Sequence, residues 1–399
     1  MTHSAAAASI GFLSTYPPTS CGLATFTAAL RGAIAKRRGS DHGLGVVRLV
    51  DNPVADAGPE VVYEHRNADH SSLQGAIEAL NQFDVAVVQH EFGIYGGPDG
   101  EEVLDLLSGL DIPAIVTLHT VLTRPSSSQR LILENVSALA ERTIVMSDTA
   151  CRRLVGGYDV DPASVRVIPH GAGTGLRGRS LANGPRPVAL TWGLIGPGKG
   201  LEMAIDAVAD LKDIDPLLRY VILGKIHPKV QASQGDAYLK GLMSRVNDLG
   251  LGAIVEFDRR YLDLDSLALA VRQADVVVLP YESTEQVSSG VLVEALAAGK
   301  PVIATAFPHA AELLSTGAGV TVPHRDPRAL TAALRHVLTQ PDHATEMAAE
   351  ARRIAGTLYW PVIARRYDHM AAKLLARRRT TRLHAEVQMQ QKDYVAAAG

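Results

Sequence analysis

Residues 187–209 read PVALTWGLIGPGKGLEMAIDAVA. The apolar start predicts a buried strand, the glycines a tight turn, and the closing LEMAIDAVA a helix. Glycine has no Cβ, so such a turn lets backbone N–H groups and a helix N-terminus come close to an anion. Lys199 adds a full positive charge beside them. A phosphate or diphosphate is the expected guest. The spacing Gly193, Gly198, Lys199 fits the first part of a P-loop, but the next residue is Gly200, without the hydroxyl that a P-loop uses to hold Mg²⁺. The NTPase reading therefore weakens while the nucleotide reading stands. A plain strand-to-helix turn with an exposed lysine is the competing reading.

The same alternation extends to both sides of this stretch. Before it, short Val/Ile/Leu runs fall at 9–14, 46–50, 85–89, 114–118, 143–146 and 165–168, with helical patterns such as 24–36 and 129–140 between them. A linker-like segment rich in Gly, Arg, Asn and Pro spans 171–187. After it, apolar runs fall at 188–192, 220–223, 254–257, 276–279, 302–304 and 319–322. The runs are continuous rather than alternating, which predicts parallel sheets covered on both faces. Two successive doubly wound α/β units follow, with ligands at the carboxyl ends of the strands and a site between the units.

Composition agrees. A chain of 399 residues suggests two domains, and 47% hydrophobic with 20% charged residues is a globular balance. A net charge of −3 with both signs mixed implies no nucleic-acid partner. Cys21 and Cys151 are too few for a secreted disulfide framework, so a reducing, cytoplasmic compartment is expected. The start MTHSAAAASIGFL lacks the basic opening of a signal peptide, and no apolar run is long enough to span a membrane. A last helix beginning near 357 carries an apolar stripe through Trp360, Ile363, Ala364, Tyr367, Met370, Ala371 and Leu374. The basic run Arg377, Arg378, Arg379 and Arg382 follows. It reads as a solvated helix end or, more sharply, as weak peripheral attachment to the anionic inner face of a membrane.

Polar groups cluster where the apolar runs end. His90 and Glu91 follow DVAVVQ, His119 and Thr120 follow IPAIVTL, and His170 follows VRVIP. Strand ends form the ligand edge of such sheets. His90-Glu91 has no second histidine four residues on, and no Cys/His cluster has metal-ligand spacing. The loop STYPPTSCG ends in Cys21 and Gly22, and Gly22 would allow a ligand close to a helix N-terminus. In the second half, Ser288, Ser289 and Gly290 open a helix and can bind phosphate oxygens. Glu294, one turn further in, can accept both hydroxyls of a ribose. Helix capping by serine and a solvated glutamate is the plainer account. Asp263-Leu264-Asp265 resembles a metal-holding pair, but it opens a helical pattern and reads as a cap.

Taken in order, STYPPTSCGLATFTAAL, VVQHEFGIYGGPDGE, IVTLHT, VIPHG, GLIGPGKGLE, EQVSSGVLVEALAAGKPVIA and WPVIARRY make the chain resemble a retaining glycosyltransferase of family 4 over roughly 8–375. The resemblance implies the GT-B fold, with two Rossmann-like domains facing across a cleft and a C-terminal helix crossing back. The implied divisions are an acceptor domain at 1–180, a nucleotide-sugar domain at 186–356, a crossover helix with a basic end at 357–385, and a flexible tail at 386–399.

The resemblance also implies residue roles. Lys199 would hold the donor diphosphate with Gly196, Gly198, Ser288, Ser289 and Gly290, Glu294 would hold the ribose, and His119 would sit near the reacting sugar. Cys21, Gly22, His90, Glu91 and His170 would face the acceptor. His227-Pro228 resembles a donor-side feature of a subgroup. Two positions depart from the commoner pattern. Leu194 stands where a diphosphate-contacting arginine is usual, and Gln286 stands where the first glutamate of an E-x₇-E pair is usual. Glu285, one residue out of register, is the remaining acidic candidate for the sugar contact.

The function implied is transfer of a hexose from an NDP-sugar, GDP-mannose or a UDP-hexose, to a hydroxyl of a saccharide, lipid-linked or small-molecule acceptor. It needs no cofactor and no metal. The alternatives are a GT-B epimerase or phosphorylase, and a nucleotide-sugar-binding protein that has lost transfer.

Overall fold

The structure is a computed structural model that describes residues 7–52, 58–178, 184–214 and 216–398. It divides into two compact units. The first comprises Met1–Val145, Cys151–Ile168 and Pro361–Gly399, and the second Met146–Ala150 and Pro169–Trp360.

The first unit is built on a seven-stranded sheet. Its strands are β1 (Ile10–Ser14), β2 (Leu44–Val50), β3 (Val61–Arg66), β4 (Val85–His90), β5 (Ala114–Leu118), β6 (Arg142–Val145) and β7 (Val165–Val167). All pair in parallel, in the order β3-β2-β1-β4-β5-β6-β7. Strands β1, β2, β4 and β5 are buried along their whole length, which is why they read as unbroken apolar runs. Strand β3, VVYEHR, has no counterpart among the expected strands. It lies at the sheet edge and mixes exposed and covered positions, so its polar residues mask the signal.

Helix Gly22–Arg38 follows β1. The Cys21 thiol caps it by accepting from Ala24 N, Lys36, Arg37 and Arg38 oppose the dipole at its end, and Gly39 closes it in the left-handed region. The last helix, Trp360–Ala398, returns the chain to this unit and continues as helix through 386–398. It buries Ile363, Ala364, Tyr367, Ala371 and Leu374, as its apolar stripe predicts. The Tyr367 hydroxyl shares a 2.9 Å hydrogen bond with Thr117 Oγ1 of β5. Asp368 accepts from Arg38 at 2.5 Å and from Arg37 at 3.3 Å.

The second unit has a six-stranded parallel sheet. Its strands are β8 (Val188–Trp192), β9 (Arg219–Leu223), β10 (Val255–Asp258), β11 (Val276–Leu279), β12 (Val302–Thr305) and β13 (Gly319–Val322), in the order β10-β9-β8-β11-β12-β13. Alternate residues of each strand feed two separate cores. Leu190, Trp192, Val277 and Leu279 enter one, and Ala189, Ile222, Val276 and Val278 the other. Each fully buried aliphatic side chain contributes about 1.5–3 kcal/mol, so both faces stabilise the sheet. Strand order reverses between β1 and β4 in one unit and between β8 and β11 in the other. Those two switch points are where doubly wound sheets hold their ligands.

Candidate active site

In the second unit, the switch point is walled by the turn 193–200 and by Pro280-Tyr281 after β11. Backbone geometry there demands glycine. Gly200 has φ +65, and a Cβ on it would lie 1.8 Å from the Pro280 carbonyl oxygen. Gly224, after β9, packs as closely on the Gly193 carbonyl. The turn is therefore wedged between its neighbours and ends at the start of helix Leu201–Ala209, whose first N–H groups have no side-chain cap.

Lys199 stands on this turn. Its Nζ lies 4.5 Å from the centre of the Tyr281 ring, and burial lowers its pKa. Among the described residues no carboxylate pairs with it. The contrast with Lys300 is instructive. Lys300 Nζ is buried and donates to the Arg272 and Ala274 carbonyls at 2.7 and 2.6 Å, so its charge holds the fold together. Lys199 has an aromatic face on one side and a glycine turn on the other. That arrangement leaves the charge available to an anion.

Tyr281 is itself buried and stacks on Phe307 at 5.3 Å. Burial raises the pKa of its phenol, while the Ser289 hydroxyl pulls the other way. Ser289 caps helix Gly290–Ala297 by accepting from Leu292 N at 3.3 Å, and its own N–H donates to His309 Nδ1 at 2.9 Å. That N–H is thus already taken by the imidazole. Burial holds His309 near a pKa of about 4, so it is a neutral acceptor. His309 was not singled out from sequence. A histidine twenty residues from the turn it braces carries no local signal.

One turn into that helix, Glu294 Oε2 accepts from Trp192 Nε1 at 3.1 Å. Burial pushes the pKa of this carboxyl up to about 7. Gln286 folds back, its Nε2 donating to the Ser288 carbonyl at 3.0 Å, and Ser288 Oγ reaches Met146 Sδ at 3.7 Å. Glu285 is partly exposed on the same loop, its N–H donating to Ser283 Oγ. His170, expected on the acceptor side, belongs to the second unit. Its Nδ1 donates to the Gly171 carbonyl at 2.7 Å and its ring leans on Trp360. A Cβ on Gly290 would meet that ring at 2.9 Å, so His170 packs on the start of helix Gly290–Ala297.

Beside the glycine turn, His227 caps helix Pro228–Gln234 by accepting from Lys229 N. Burial, then Lys229, then Lys199 lower its pKa. Adjacent to it lies a cavity of about 320 Å³ lined by Gly224, Lys225, Ile226, Gln231 and Arg259. It opens at the carboxyl ends of β9 and β10. Lys225 and Arg259, which follow β9 and β10, were not singled out from sequence. Asp263 Oδ1 accepts from Ser266 N at 2.8 Å, so it acts as a helix cap.

In the first unit, the loop after β1 and the ends of β4 and β5 share the other switch point. His119 Nε2 donates to Gln89 Oε1 at 2.8 Å, and its ring meets Phe26 edge-on at 5.0 Å. Glu91 accepts from Thr120 Oγ1 at 2.6 Å, and burial raises its pKa. Gly22 has open space where a Cβ would stand. The Cys21 thiol bonds Thr15 Oγ1 at 3.1 Å. His90 is fully buried, stands beside Phe92 and Tyr95, and finds no hydrogen-bond partner for either ring nitrogen. It lies in the core, and burial lowers its pKa to about 4. A further residue, Arg48, is fully buried on β2. It pairs with Glu64, and its Nη1 donates to the Pro17 carbonyl at 3.1 Å, propping the loop. The signal for it was a lone arginine inside LGVVRLV.

Two parallel doubly wound sheets, one carrying a glycine-lysine turn opposite a serine-capped helix with an inward glutamate, define a GT-B glycosyltransferase. Comparison with known proteins agrees. The model for Glycosyltransferase Family 4 matches residues 27–175, and that for Glycosyl transferases group 1 matches 175–354. The chain belongs to the family-4, group 1 glycosyltransferases.

It is similar to the D-inositol 3-phosphate glycosyltransferase of Kineococcus radiotolerans, 29% identical over 288 residues, which is 64% of each chain. The protein of the same name from Geodermatophilus obscurus is 29% identical over 371 residues, 81% of this chain and 79% of the relative. Among solved structures, Anabaena HepE in complex with UDP superposes with a TM-score of 0.71 at 18% identity, covering 91% of this chain and 99% of that one. Sucrose-phosphate synthase from Thermosynechococcus elongatus gives 0.72 at 19%, covering 92% and 99%.

Proposed function

We propose that this glycosyltransferase moves a hexose from a nucleoside-diphosphate sugar to an acceptor hydroxyl with retention of configuration. The observation that carries the reading is Lys199, a cation with no carboxylate partner among the described residues, held over Tyr281 on a glycine turn that opens a helix. Departure of the sugar builds charge on the leaving diphosphate. Lys199 and the N-termini of helices Leu201–Ala209 and Gly290–Ala297 stabilise that charge, and preorganised charge of this kind is usually the largest catalytic contribution.

Glu294 takes the ribose hydroxyls, and the base enters the cavity beside Lys225 and Arg259. His227 lines the route from the diphosphate to the base. The acceptor hydroxyl attacks from the face the diphosphate leaves, and a diphosphate oxygen takes its proton. The reaction as drawn routes no step through a metal. The first unit presents the acceptor through the Gly22 helix start, Glu91 and His119. UDP in HepE favours a UDP-hexose over GDP-mannose as the donor. The name shared by the two relatives favours a phosphorylated polyol among the hydroxyl acceptors.

A thermal-shift screen with UDP, GDP, ADP and their hexose conjugates tests the donor. A ligand at 100 times its Kd adds about 2.7 kcal/mol of stability. Stabilisation by one nucleotide selects the base for acceptor assays. Folded protein that none of them stabilises overturns the reading.

A further inference from the structure

The first unit carries a second charged feature, made only of its own elements. Strand β7 is the free edge of the sheet, and the last helix runs beside it. Between them is a cleft of about 360 Å³. Its walls carry Arg142 and Arg166 from β6 and β7, and Arg366, Lys373 and Arg377 from the helix. Its floor is apolar, made by Ile168, Met370 and Leu374.

The helical cations fall at i, i+7 and i+11, so they share one face and span about 16 Å at 1.5 Å per residue. Among the described residues none of the five cations has a carboxylate within ion-pair distance. Residues 360–381 contain a single carboxylate, Asp368, and it is engaged by Arg37 and Arg38 on another face of the helix. Arg142 shows the crowding, since burial, then Arg166 and Arg377, lower its pKa, against the smaller opposing pull of Glu141 and Asp161. Arg378 and Arg379 extend the exposed basic run. The chain as a whole carries −3, so this concentration of positive charge is local.

A row of cations above an apolar floor matches an anionic amphiphile better than a soluble polyanion, which gains nothing from the floor. A single phosphate would occupy only a fraction of the row. No described helix is long and apolar enough to cross a membrane, so any contact with lipid is made at the surface. We propose that this cleft and helix face dock the protein on a bilayer of anionic phospholipid, with headgroup phosphates on the five cations and lipid chain against Met370 and Leu374.

Vesicle co-sedimentation of the full chain tests this, using phosphatidylcholine alone and phosphatidylcholine with 30% phosphatidylglycerol. Binding is expected only to the anionic vesicles, weakening as salt rises. Arg366→Glu with Lys373→Glu is expected to cut partitioning at least tenfold, since each surface cation contributes about fivefold. Both residues are exposed, and an unchanged melting temperature and NDP thermal shift would show the fold and donor site intact. Equal binding to both vesicle types, or no loss in the double variant, would overturn the proposal. So would tight binding of soluble tripolyphosphate or of a DNA duplex with no partitioning into anionic vesicles.

Discussion

The Lys199 ammonium sits 4.5 Å from the centre of the Tyr281 ring, with no carboxylate partner among the described residues. A lysine kept dry by an aromatic face is costly unless a ligand repays its desolvation, and burial already lowers its pKa. Lys199→Ala is expected to lower turnover by about 10²-fold or more while leaving the melting temperature nearly unchanged. Steady-state rates with donor and acceptor, beside a thermal melt, decide it. Wild-type turnover in the variant would remove Lys199 from the mechanism.

Glu294 gives a prediction about pH. Burial raises its pKa from an ordinary 4.5 to about 7, so between those values the folded state binds more protons than the unfolded one. Stability associated with this group is complete below about pH 4.5 and is lost as pH rises through about 7, by on the order of 3 kcal/mol. Glu294→Gln should flatten that part of the stability–pH curve. Nucleotide binding runs the opposite way, because ribose hydroxyls need the ionised carboxylate as acceptor. The Kd for the NDP should fall as pH rises through 7 in the wild type and stay level in Glu294→Gln, as titration calorimetry at several pH values would show.

Gly200→Ala places a methyl group where the Pro280 carbonyl oxygen stands and demands a left-handed backbone of alanine. The turn has to move. A loss of more than about 1 kcal/mol is expected in urea titrations, with a larger relative loss in NDP affinity than in stability. Gly252→Ala is the control, because a Cβ there meets nothing.

Arg48 is expected to matter through the loop it props. Arg48→Ala removes the guanidinium that donates to the Pro17 carbonyl and to Glu64 and should cost about 3 kcal/mol or more. Arg48→Lys should recover little, since one ammonium cannot reproduce the two donors that the guanidinium gives Glu64. The urea midpoint of each variant measures this.

Much of the fold was legible because twelve of the strands are apolar enough to read as runs, and glycines marked the turns between them. Strand β3 was not legible, since an edge strand keeps polar residues on its open side. The turn carrying Lys199 and the helix start at Ser289 were legible for a physical reason too. A glycine-lysine turn and a serine-capped helix each use local backbone geometry that leaves a short spelling. His90, His119 and His170 looked alike in sequence, each following an apolar run. Only the structure separates them, as a core residue, a partner of Gln89, and, within the second unit, a packing residue against Gly290. Burial and long-range packing are set by chain distant in sequence, and the same holds for His309 and Arg48.

The return of the last helix to the first unit has a consequence for how the protein is made. The partners Thr117 and Tyr367 are 250 residues apart, and Arg38 and Asp368 are 330 apart. A ribosome adding roughly 5–20 residues per second therefore leaves the first unit without its closing helix for many seconds, during which the second unit is synthesised whole. The unit begun first is the last to be completed. A nascent chain halted with Trp360 just clear of the ribosome should hold the second sheet folded and the first open to protease, and release should close it.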